Sequence, residues 1–310
     1  MTVQVLFAGR PALWDSYAAP LQTAMTAAGL DALVSPDIDP AQADYLLVGA
    51  KGAPTDYRLF SRLKAVQTLS AGVEHLAGNP TLTVPAARLV DPGLTQGMVE
   101  WCVGHVLRHH LGMDAQIKNT GANWAPQVPP LAWHRKVTVL GLGALGQAVA
   151  SALAALGFDL RGWSRSPKSI EGVACHHGAD GLTQALEGAE ITVLLLPKTD
   201  ETENIINAET LASMARGSVV INPGRGPLID DDALLAALET GQIGQATLDV
   251  FRIEPLPEDH PYWAHPNVTV TPHIASETRP ETAASVVAEN IRRCEAGLPM
   301  LYLVDRARGY

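Results

Sequence analysis

The chain has 310 residues, which is long enough for two hydrophobic cores, so we expect two domains. Apolar residues make up 47% of the sequence and charged residues 17%, as in ordinary soluble globular proteins. The net charge of −10 argues against nucleic acid as a main partner, because binding a phosphate backbone requires a basic face. A small anionic substrate remains compatible with this charge, since a local positive site can lie on an acidic surface.

The cysteine pattern and the first residues indicate a cytoplasmic protein. Cys102, Cys175 and Cys294 lie far apart and form no C-x-x-C pair, which favours a reducing compartment over a disulfide framework. The opening stretch "MTVQVLFAGRPALW" has the character of a first strand rather than of a secretory signal. No apolar run reaches the length of a membrane span, so we expect no membrane partner.

The first hundred residues alternate short apolar runs with helical patterns. The predicted strands are residues 3–8, 31–35, 44–50 and 65–70. Residues 12–29 and 56–63 have helical spacing, and the first of these predicted helices ends at Gly29. Alternation of this kind predicts an α/β unit with a mostly parallel sheet.

A second α/β series follows a long predicted helix (94–113) and a proline-rich loop (121–134). Its predicted strands are residues 136–140, 159–163, 191–196, 218–222, 245–249 and 268–271. A last helix, about residues 280–297, returns the chain to the first domain. The predicted domains are residues 1–98 with 280–310 and, inserted into that domain, residues 99–279.

The second series opens with a glycine motif in the stretch "VTVLGLGALGQ". Gly141, Gly143 and Gly146 have G-x-G-x-x-G spacing between an apolar strand and an Ala/Leu-rich helix. In that context the glycines permit a tight turn, close approach of a pyrophosphate, and close packing of helix on strand. The helix N-terminus, at Ala144 and Leu145, offers unpaired N–H groups and the positive end of the helix dipole. The motif predicts a dinucleotide cofactor.

The basic stretch "RGWSRSPK", residues 161–168, lies where the adenosine ribose of that cofactor is expected. An NAD site has an Asp or Glu there to bond the ribose hydroxyls. Here Ser164 takes that place and is followed by Arg165, Ser166 and Lys168. Without the acid nothing repels a 2′-phosphate, and guanidinium and ammonium groups pair with one. We therefore expect NADP(H) to be preferred over NAD(H), the alternative being an ordinary solvated loop.

Charged side chains suited to catalysis follow three later strands. They are Arg225 in a Gly/Pro-rich loop, Asp249 and Glu254 at and beyond a strand end, and His273 after the final strand. Open α/β sheets bind their ligands where strands end in this way. Each residue alone is more often structural, but together beside a dinucleotide site they indicate an active site.

Several motifs in order resemble those of the D-isomer-specific 2-hydroxyacid dehydrogenase family along essentially the whole chain. They are "GLGALG", "WSRSPK", "LLPKTDETENIIN", "NPGRG", "LDVFRIEPLP", "TPHIASETRP" and the terminal "VDRARGY". Within the family the chain looks most like the short glyoxylate/hydroxypyruvate reductase A type. The resemblance implies two Rossmann-like domains, a flavodoxin-like substrate domain and a dinucleotide-binding domain. It also implies a homodimer formed through the latter, and NADPH-dependent reduction of glyoxylate or hydroxypyruvate.

The resemblance also implies catalytic roles that physical chemistry supports. Arg225 would hold the carboxylate and carbonyl oxygens of the 2-oxo acid. His273 would protonate the carbonyl oxygen as hydride arrives, and would act as a base in the reverse direction. Glu254 would bond the imidazole, fix its orientation and favour its protonated form. Asp249 would bind the nicotinamide carboxamide.

Further cofactor and substrate contacts are carried over from the same resemblance. Additional cofactor contacts are expected at Leu196, Pro197, Thr202, Pro223 and Gly224. In "LSAGVEHL", the backbone N–H groups of Ala71, Gly72 and Val73 would cradle the substrate carboxylate. Lys51 would add positive charge at a neighbouring strand end.

Two departures from the family pattern leave alternatives open. Gly224, preceded by Pro223, stands where the family often has Ala, so the loop that carries Arg225 can differ in shape. Gly49 stands where similar reductases tend to place a bulky aromatic, which leaves open the pocket width and a bulkier acid such as phenylpyruvate. Outside the enzymes, the alternative is a nucleotide-sensing, corepressor-like protein of the same fold, against which the NADP-type loop argues.

The remaining clusters have ordinary structural interpretations. Cys175–His177 and the pair His109 and His110 are runs of adjacent residues, which seldom face one ion, so no metal site is expected. Trp101, inside the long helix, is interpreted as a core or interface residue. We expect the same helix to form part of the homodimer interface, as in the family.

Overall fold

A computed structural model describes residues 2–49, 52–119, 121, 123–306 and 308–309. The chain divides into two compact units, Met1–Leu94 with Glu277–Tyr310, and Thr95–Ser276. The boundaries expected from the sequence lie a few residues further along the chain in both places. Each unit has a sheet of its own and is described separately.

Helices and strands are numbered in chain order. The helices are α1 (Trp14–Ala27), α2 (Glu74–Ala77), α3 (Pro92–His110), α4 (Met113–Ile117), α5 (Ala144–Ala155), α6 (Gly178–Leu186), α7 (Ala208–Ser213), α8 (Asp231–Glu239) and α9 (Pro280–Glu295). The strands are β1 (Val3–Ala8), β2 (Ala32–Ser35), β3 (Tyr45–Val48), β4 (Ala65–Thr68), β5 (Ala86–Ala87), β6 (Lys136–Leu140), β7 (Asp159–Ser164), β8 (Ala174–His177), β9 (Ile191–Leu194), β10 (Ser218–Asn222), β11 (Ile243–Leu248) and β12 (Val268–Val270). Neighbouring strands of both sheets pair in parallel, which confirms the predicted α/β class.

The first unit is built on a five-stranded sheet in the order β2-β1-β3-β4-β5. Helices α1 and α9 share a core with this sheet through the fully buried side chains Leu21, Met25, Val287 and Ile291. A second cluster, which includes Leu46 of β3, fills the other side. All four residues of β3 are buried, as expected for a strand covered on both faces. The order is that of flavodoxin-like sheets.

The second unit is built on a seven-stranded sheet in the order β12-β11-β10-β9-β6-β7-β8. On one side, Val139 and Val193 of the sheet and Val149 and Leu153 of α5 are fully buried in one core. The strand order reverses between β6 and β9, which is the switch point of a dinucleotide-binding sheet. Ligands of such sheets bind at the carboxyl ends of the strands beside this point.

Three short elements differ from the sequence-based expectation. Residues 56–63 form only a 3-10 turn at Tyr57–Leu59, because Phe60 leaves the helical region (φ −100°, ψ 75°) and is buried in the core. The sequence does not predict β5, which is two alanines long, or β8, whose residues "ACHH" lack an apolar alternation. Sheet edges tolerate such weak strands because one neighbour supplies the hydrogen bonds.

The long helix α3 ends three residues earlier than its sequence pattern suggests. Gly112 adopts a left-handed conformation (φ 62°, ψ 33°), which breaks the helix before α4 starts again at Met113. With 19 residues α3 is the longest helix in the described part of the chain. Neither it nor another described helix is long and apolar enough to cross a membrane.

Candidate active site

The glycine motif forms the turn between β6 and α5. Gly141 has a φ of +102°, and a β-carbon there would lie 2.5 Å from the backbone oxygen that follows β9. A β-carbon on Gly146 would lie 1.7 Å from the Gly141 oxygen, so the helix could not pack on the turn. At Gly143, by contrast, no atom of the described residues other than its two chain neighbours lies within 4 Å of the β-carbon position. The open side of the turn, with the N-terminal residues Ala144 and Leu145 of α5, fits a pyrophosphate.

The basic segment after β7 presents its charges to solvent. Ser164 ends the strand, is buried, and donates from Oγ to the Ser166 backbone oxygen at 2.8 Å. Arg165 and Lys168 are exposed, and Arg165 Nη1 lies 3.1 Å from Glu201 Oε2. Because both partners of this ion pair are exposed, it contributes little stability, and Arg165 can exchange Glu201 for another anion at low cost.

The segment after β9 is shaped by one threonine. Leu196 is buried, Pro197 is half-buried, and Thr202 is 8% exposed. Thr202 Oγ1 donates to the Pro197 oxygen at 2.7 Å and accepts from the Thr199 N–H at 2.9 Å. The hydroxyl therefore closes the loop 197–202, and its contribution to a cofactor cleft is to fix the shape of that loop.

The loop after β10 carries Arg225 and is tied down by Asn222. Pro223 and Gly224 are buried, and a β-carbon on Gly224 would lie 2.8 Å from the Leu194 oxygen. Asn222 accepts from the Gly224 N–H at 3.0 Å and donates to the Arg225 oxygen at 2.8 Å. Glycine at 224 thus lets the loop pack directly against β9, which explains the departure from the usual alanine. Arg225 Nη1 donates to the Gly224 oxygen at 2.7 Å.

Gly226 joins this loop to the segment that carries Glu254. A β-carbon on Gly226 would lie 2.0 Å from the carbonyl carbon and 2.3 Å from the carbonyl oxygen of Phe251. The two loops are therefore in backbone contact, and only glycine allows it. This contact fixes the arginine loop against the chain that continues to Glu254.

His273 and Glu254 form a close pair after the last strands of the second sheet. His273 Nδ1 lies 2.7 Å from Glu254 Oε2, and Glu254 Oε1 accepts the Phe251 N–H at 3.0 Å. His273 has a φ of +55°, a conformation that residues other than glycine rarely adopt. With Nδ1 bonded to the carboxylate, Nε2 is the nitrogen left for a proton transfer.

Asp249, which follows β11, is fully buried. Its carboxylate accepts hydrogen bonds from the Thr271 hydroxyl at 2.6 Å and from the N–H groups of Ile274 and Ala275 at 2.9 and 2.8 Å. It therefore contacts the segment that carries His273.

The predicted substrate loop of the first unit follows β4. Ala71 and Gly72 are half-buried and Val73 is buried, and Ser70 Oγ donates to the Gly72 oxygen at 2.9 Å. Within the described residues, the N–H groups of these three residues donate no hydrogen bond. They are available to an anion. Lys51 lies outside the described residues.

The sequence does not predict a role in the site for three residues that the structure places there: Asn222, Gly226 and Thr271. Two sequence features could have indicated the first two. Asn222 is a polar residue at the end of the apolar strand "VVIN", and Gly226 is a second glycine directly after the arginine in "GRG". Nothing in the sequence distinguishes Thr271 from the other threonines of "VTVTPH", because its role depends on Asp249, which is remote along the chain.

The histidine runs and Trp101 have structural contacts. His109 bonds polar side chains of β11 through both ring nitrogens, and the His110 ring packs edge-on against Phe158. Cys175–His177 form most of β8. The Trp101 ring centroid lies 4.2 Å from that of a histidine one turn later, and the side chain is partly buried against the core. Among the described residues, no group of three or more His, Cys, Asp or Glu is arranged to hold a metal ion.

The strand-end residues and the glycine turn together define a dinucleotide-binding dehydrogenase, and comparison with known proteins agrees. Residues 101–275 match the model of the D-isomer specific 2-hydroxyacid dehydrogenase family, NAD binding domain. The chain is 42% identical over 282 residues to glyoxylate/hydroxypyruvate reductase A of Serratia proteamaculans (strain 568), covering 88% of this chain and 89% of that protein.

Solved structures of proteins named as members of the same family, or as glyoxylate/hydroxypyruvate reductases, are similar to this chain over its full length. A D-isomer specific 2-hydroxyacid dehydrogenase from Xanthobacter autotrophicus Py2, in complex with NADPH and MES, has a TM-score of 0.93 at 43% identity and 100% coverage of both chains. An NADPH-dependent glyoxylate/hydroxypyruvate reductase from Sinorhizobium meliloti, in complex with NADP and sulfate, has a TM-score of 0.85 at 36% identity, again with 100% coverage of both.

This chain belongs to the D-isomer specific 2-hydroxyacid dehydrogenase family. It is accordingly an NAD(P)-dependent oxidoreductase, and the resemblance drawn from its motifs is confirmed.

Proposed function

We propose that this enzyme reduces a small 2-oxo acid, glyoxylate or hydroxypyruvate, to the 2-hydroxy acid with NADPH. The observation that carries the proposal is the His273–Glu254 pair, 2.7 Å apart, on a loop system that also fixes Arg225 at the carboxyl ends of a dinucleotide-binding sheet. Relatives that span nearly the whole chain are named glyoxylate/hydroxypyruvate reductase A, which supports the choice of substrate.

The cofactor would be held by residues whose geometry suits each of its parts. The turn Gly141–Gly146 and the α5 N-terminus would bind the pyrophosphate, and the segment Ser164–Lys168 would bind the ribose 2′-phosphate through Arg165 and Lys168. Leu196, Pro197, Thr202, Pro223 and Gly224 would line the cleft, and Asp249 would bind the nicotinamide carboxamide. When bound, the nicotinamide cofactor supplies a hydride to the carbonyl carbon. The similar structures that contain NADPH and NADP support the choice of phosphate form.

His273 would act as the general acid in reduction and as the general base in oxidation. Its Nδ1 lies 2.7 Å from Glu254 Oε2, and this contact would fix the orientation of the ring. The proton on Nε2 is then directed to the carbonyl oxygen, where negative charge develops. Glu254 is itself held by the Phe251 N–H, so the pair keeps one orientation.

Arg225 would bind the oxo acid through a charge-assisted fork to its carboxylate and carbonyl oxygens. A guanidinium beside the carbonyl oxygen also stabilises the charge that develops there. In the first unit, the N–H groups of Ala71, Gly72 and Val73 would receive the substrate carboxylate, and Lys51 would add positive charge. The absence of other hydrogen bonds from these three N–H groups, within the described part of the chain, supports that role.

We further propose a homodimer formed through the second unit, and a cytoplasmic location. Apolar side chains that are exposed in the single chain concentrate in residues 111–133: Leu111, Met113, Ile117, Trp124, Val128, Leu131 and Trp133. Trp124 is 95% exposed and Val128 is 92% exposed, and an apolar patch of this kind marks an interface. A second copy is the commonest partner of a soluble chain.

The three free cysteines fit a reducing compartment, which supports the proposed cytoplasmic location.

Initial rates with NADPH and NADH, each with glyoxylate, hydroxypyruvate, pyruvate and phenylpyruvate, test this function. Fast turnover of the two small acids with NADPH is the expected result. A preference for NADH would contradict the role of Arg165 and Lys168. Activity confined to phenylpyruvate would mean that Gly49 opens a wide pocket, and no turnover of any acid would favour the nucleotide-sensing alternative.

A further inference from the structure

Asp249 accepts four hydrogen bonds from the segment that carries His273. Asp249 accepts the Thr271 hydroxyl and the Ile274 N–H on Oδ1, at 2.6 and 2.9 Å, and the Ala275 N–H on Oδ2 at 2.8 Å. Its backbone oxygen accepts the His273 N–H at 2.8 Å. These four hydrogen bonds come from residues 271, 273, 274 and 275. They therefore hold the chain at and around His273, whose backbone has the unfavourable φ of +55°.

Two titratable side chains of α3, Cys102 and His105, lie near Asp249. Burial, then the nearby Asp249 carboxylate, raise the pKa of the Cys102 thiol. Burial lowers the pKa of His105 to about 4 against the opposing effect of Asp249. Both neighbours are therefore uncharged near neutral pH. A fully buried carboxylate in these surroundings makes strong, charge-assisted bonds to the donors that it has.

We propose that Asp249 is a positioning residue, whose carboxylate holds residues 271–275 and so sets the direction in which His273 presents Nε2. The role deepens the proposed reductase function and rests on it. It is separate from a contact to the nicotinamide carboxamide, which needs only one acceptor position. A displacement of about 1 Å at a reacting group costs roughly 10²-fold in rate, so loss of this anchor is expected to affect the chemical step more than cofactor binding.

Asp249→Asn tests the proposal, because the amide keeps the shape but replaces one acceptor oxygen by a donor. The expected result is a fall in kcat of about 10²-fold, larger than any rise in the NADPH dissociation constant measured by fluorescence. Amide hydrogen exchange without cofactor or substrate is expected to rise at Ile274 and Ala275, while β6 and β11 stay protected. Asp44→Asn is the matched control, since Asp44 is buried and bonds the Gln4 N–H at 2.9 Å and Arg62 in the first unit.

Thr271→Val is the second variant, chosen in case Asp249→Asn does not fold. It removes one donor and leaves both backbone bonds, so we expect a fall in kcat of about tenfold with faster exchange at Ile274. Unchanged exchange at 274–275, or a loss of NADPH affinity with kcat preserved, would overturn the positioning role. If wild-type enzyme fails to reduce 2-oxo acids, the proposed function fails, while the exchange result still reports on the anchor.

Discussion

At the scale of single residues, the site is a set of side chains whose positions are imposed by backbone contacts. Glu254 is held by the Phe251 N–H, and the Phe251 carbonyl lies against Gly226 beside Arg225. The His273–Glu254 pair and Arg225 are therefore linked through the main chain, so a small change in one residue is expected to displace the others.

His273 and Glu254 are expected to act as one unit. His273→Gln should lower kcat by about 10²–10⁴-fold, the range for loss of a general acid. Because Glu254 acts through the imidazole, adding Glu254→Gln to that variant should cost little more, although Glu254→Gln alone reduces kcat. Steady-state rates of the two single variants and the double variant measure this coupling. Additive losses would mean that Glu254 has an independent role.

Two glycines of the same motif are expected to respond differently to a methyl group. Gly143→Ala should fold normally, since the described residues beyond its chain neighbours leave the new carbon at least 4 Å of space, but should weaken NADPH binding by obstructing the pyrophosphate. Gly146→Ala places its carbon 1.7 Å from a backbone oxygen and should lower the melting temperature strongly. Thermal unfolding and NADPH titration of both variants distinguish the cases. Equal melting temperatures would contradict the packing argument.

At the scale of elements, the sequence predicts the α/β alternation, the long strands and the glycine turn because these depend on local patterns. It misses β8, whose polar residues are paired by β7, and it overextends the helix at 56–63, where Phe60 turns into the core. The candidate catalytic residues could be proposed from the sequence because they follow the ends of predicted strands. The anchor between Asp249 and Thr271 could not be, because it joins residues 22 positions apart whose proximity only the sheet creates.

The joint between α3 and α4 gives a prediction about pH. Asp114 accepts two bonds from Arg108 at 2.7 and 2.9 Å, and these bonds lower the pKa of its carboxyl. Because the pKa of Asp114 is lowered in the folded protein, its ion pair with Arg108 stabilises the fold at pH values above the pKa of an ordinary carboxyl group. This stabilisation is lost as the pH falls through the lowered pKa of Asp114. Asp114→Asn should reduce the free energy of unfolding by about 1–2 kcal/mol at pH 7 and by progressively less in acid.

Urea unfolding of wild type and Asp114→Asn at pH 7 and at pH values below 4 measures that difference. Glu289→Gln is the matched control, because its partner Arg292 lies on the solvent face of α9 and the pair should contribute little. A destabilisation that does not change between the two pH ranges would show that the charge of Asp114 is unimportant.

At the scale of the whole molecule, the exposed apolar segment 111–133 predicts association of two copies. Trp124→Ser with Val128→Ser should convert a dimer into a monomer, because these side chains are more than nine-tenths exposed in the single chain. Leu33→Ser is the control, since Leu33 is 48% exposed on β2 of the first unit. Light scattering after gel filtration gives the mass. A monomeric wild type, or a double variant that stays dimeric, would contradict the proposed interface.

The proposed reaction is hydride transfer from NADPH to a 2-oxo acid, and isotope labelling measures that transfer most directly. NADPH with deuterium in both positions at nicotinamide C4 is mixed with hydroxypyruvate and the enzyme, and the product is analysed by mass spectrometry and chiral chromatography. We expect the D isomer of the hydroxy acid, with one deuterium on the carbon that carried the carbonyl oxygen. Unlabelled product, or the L isomer, would contradict it.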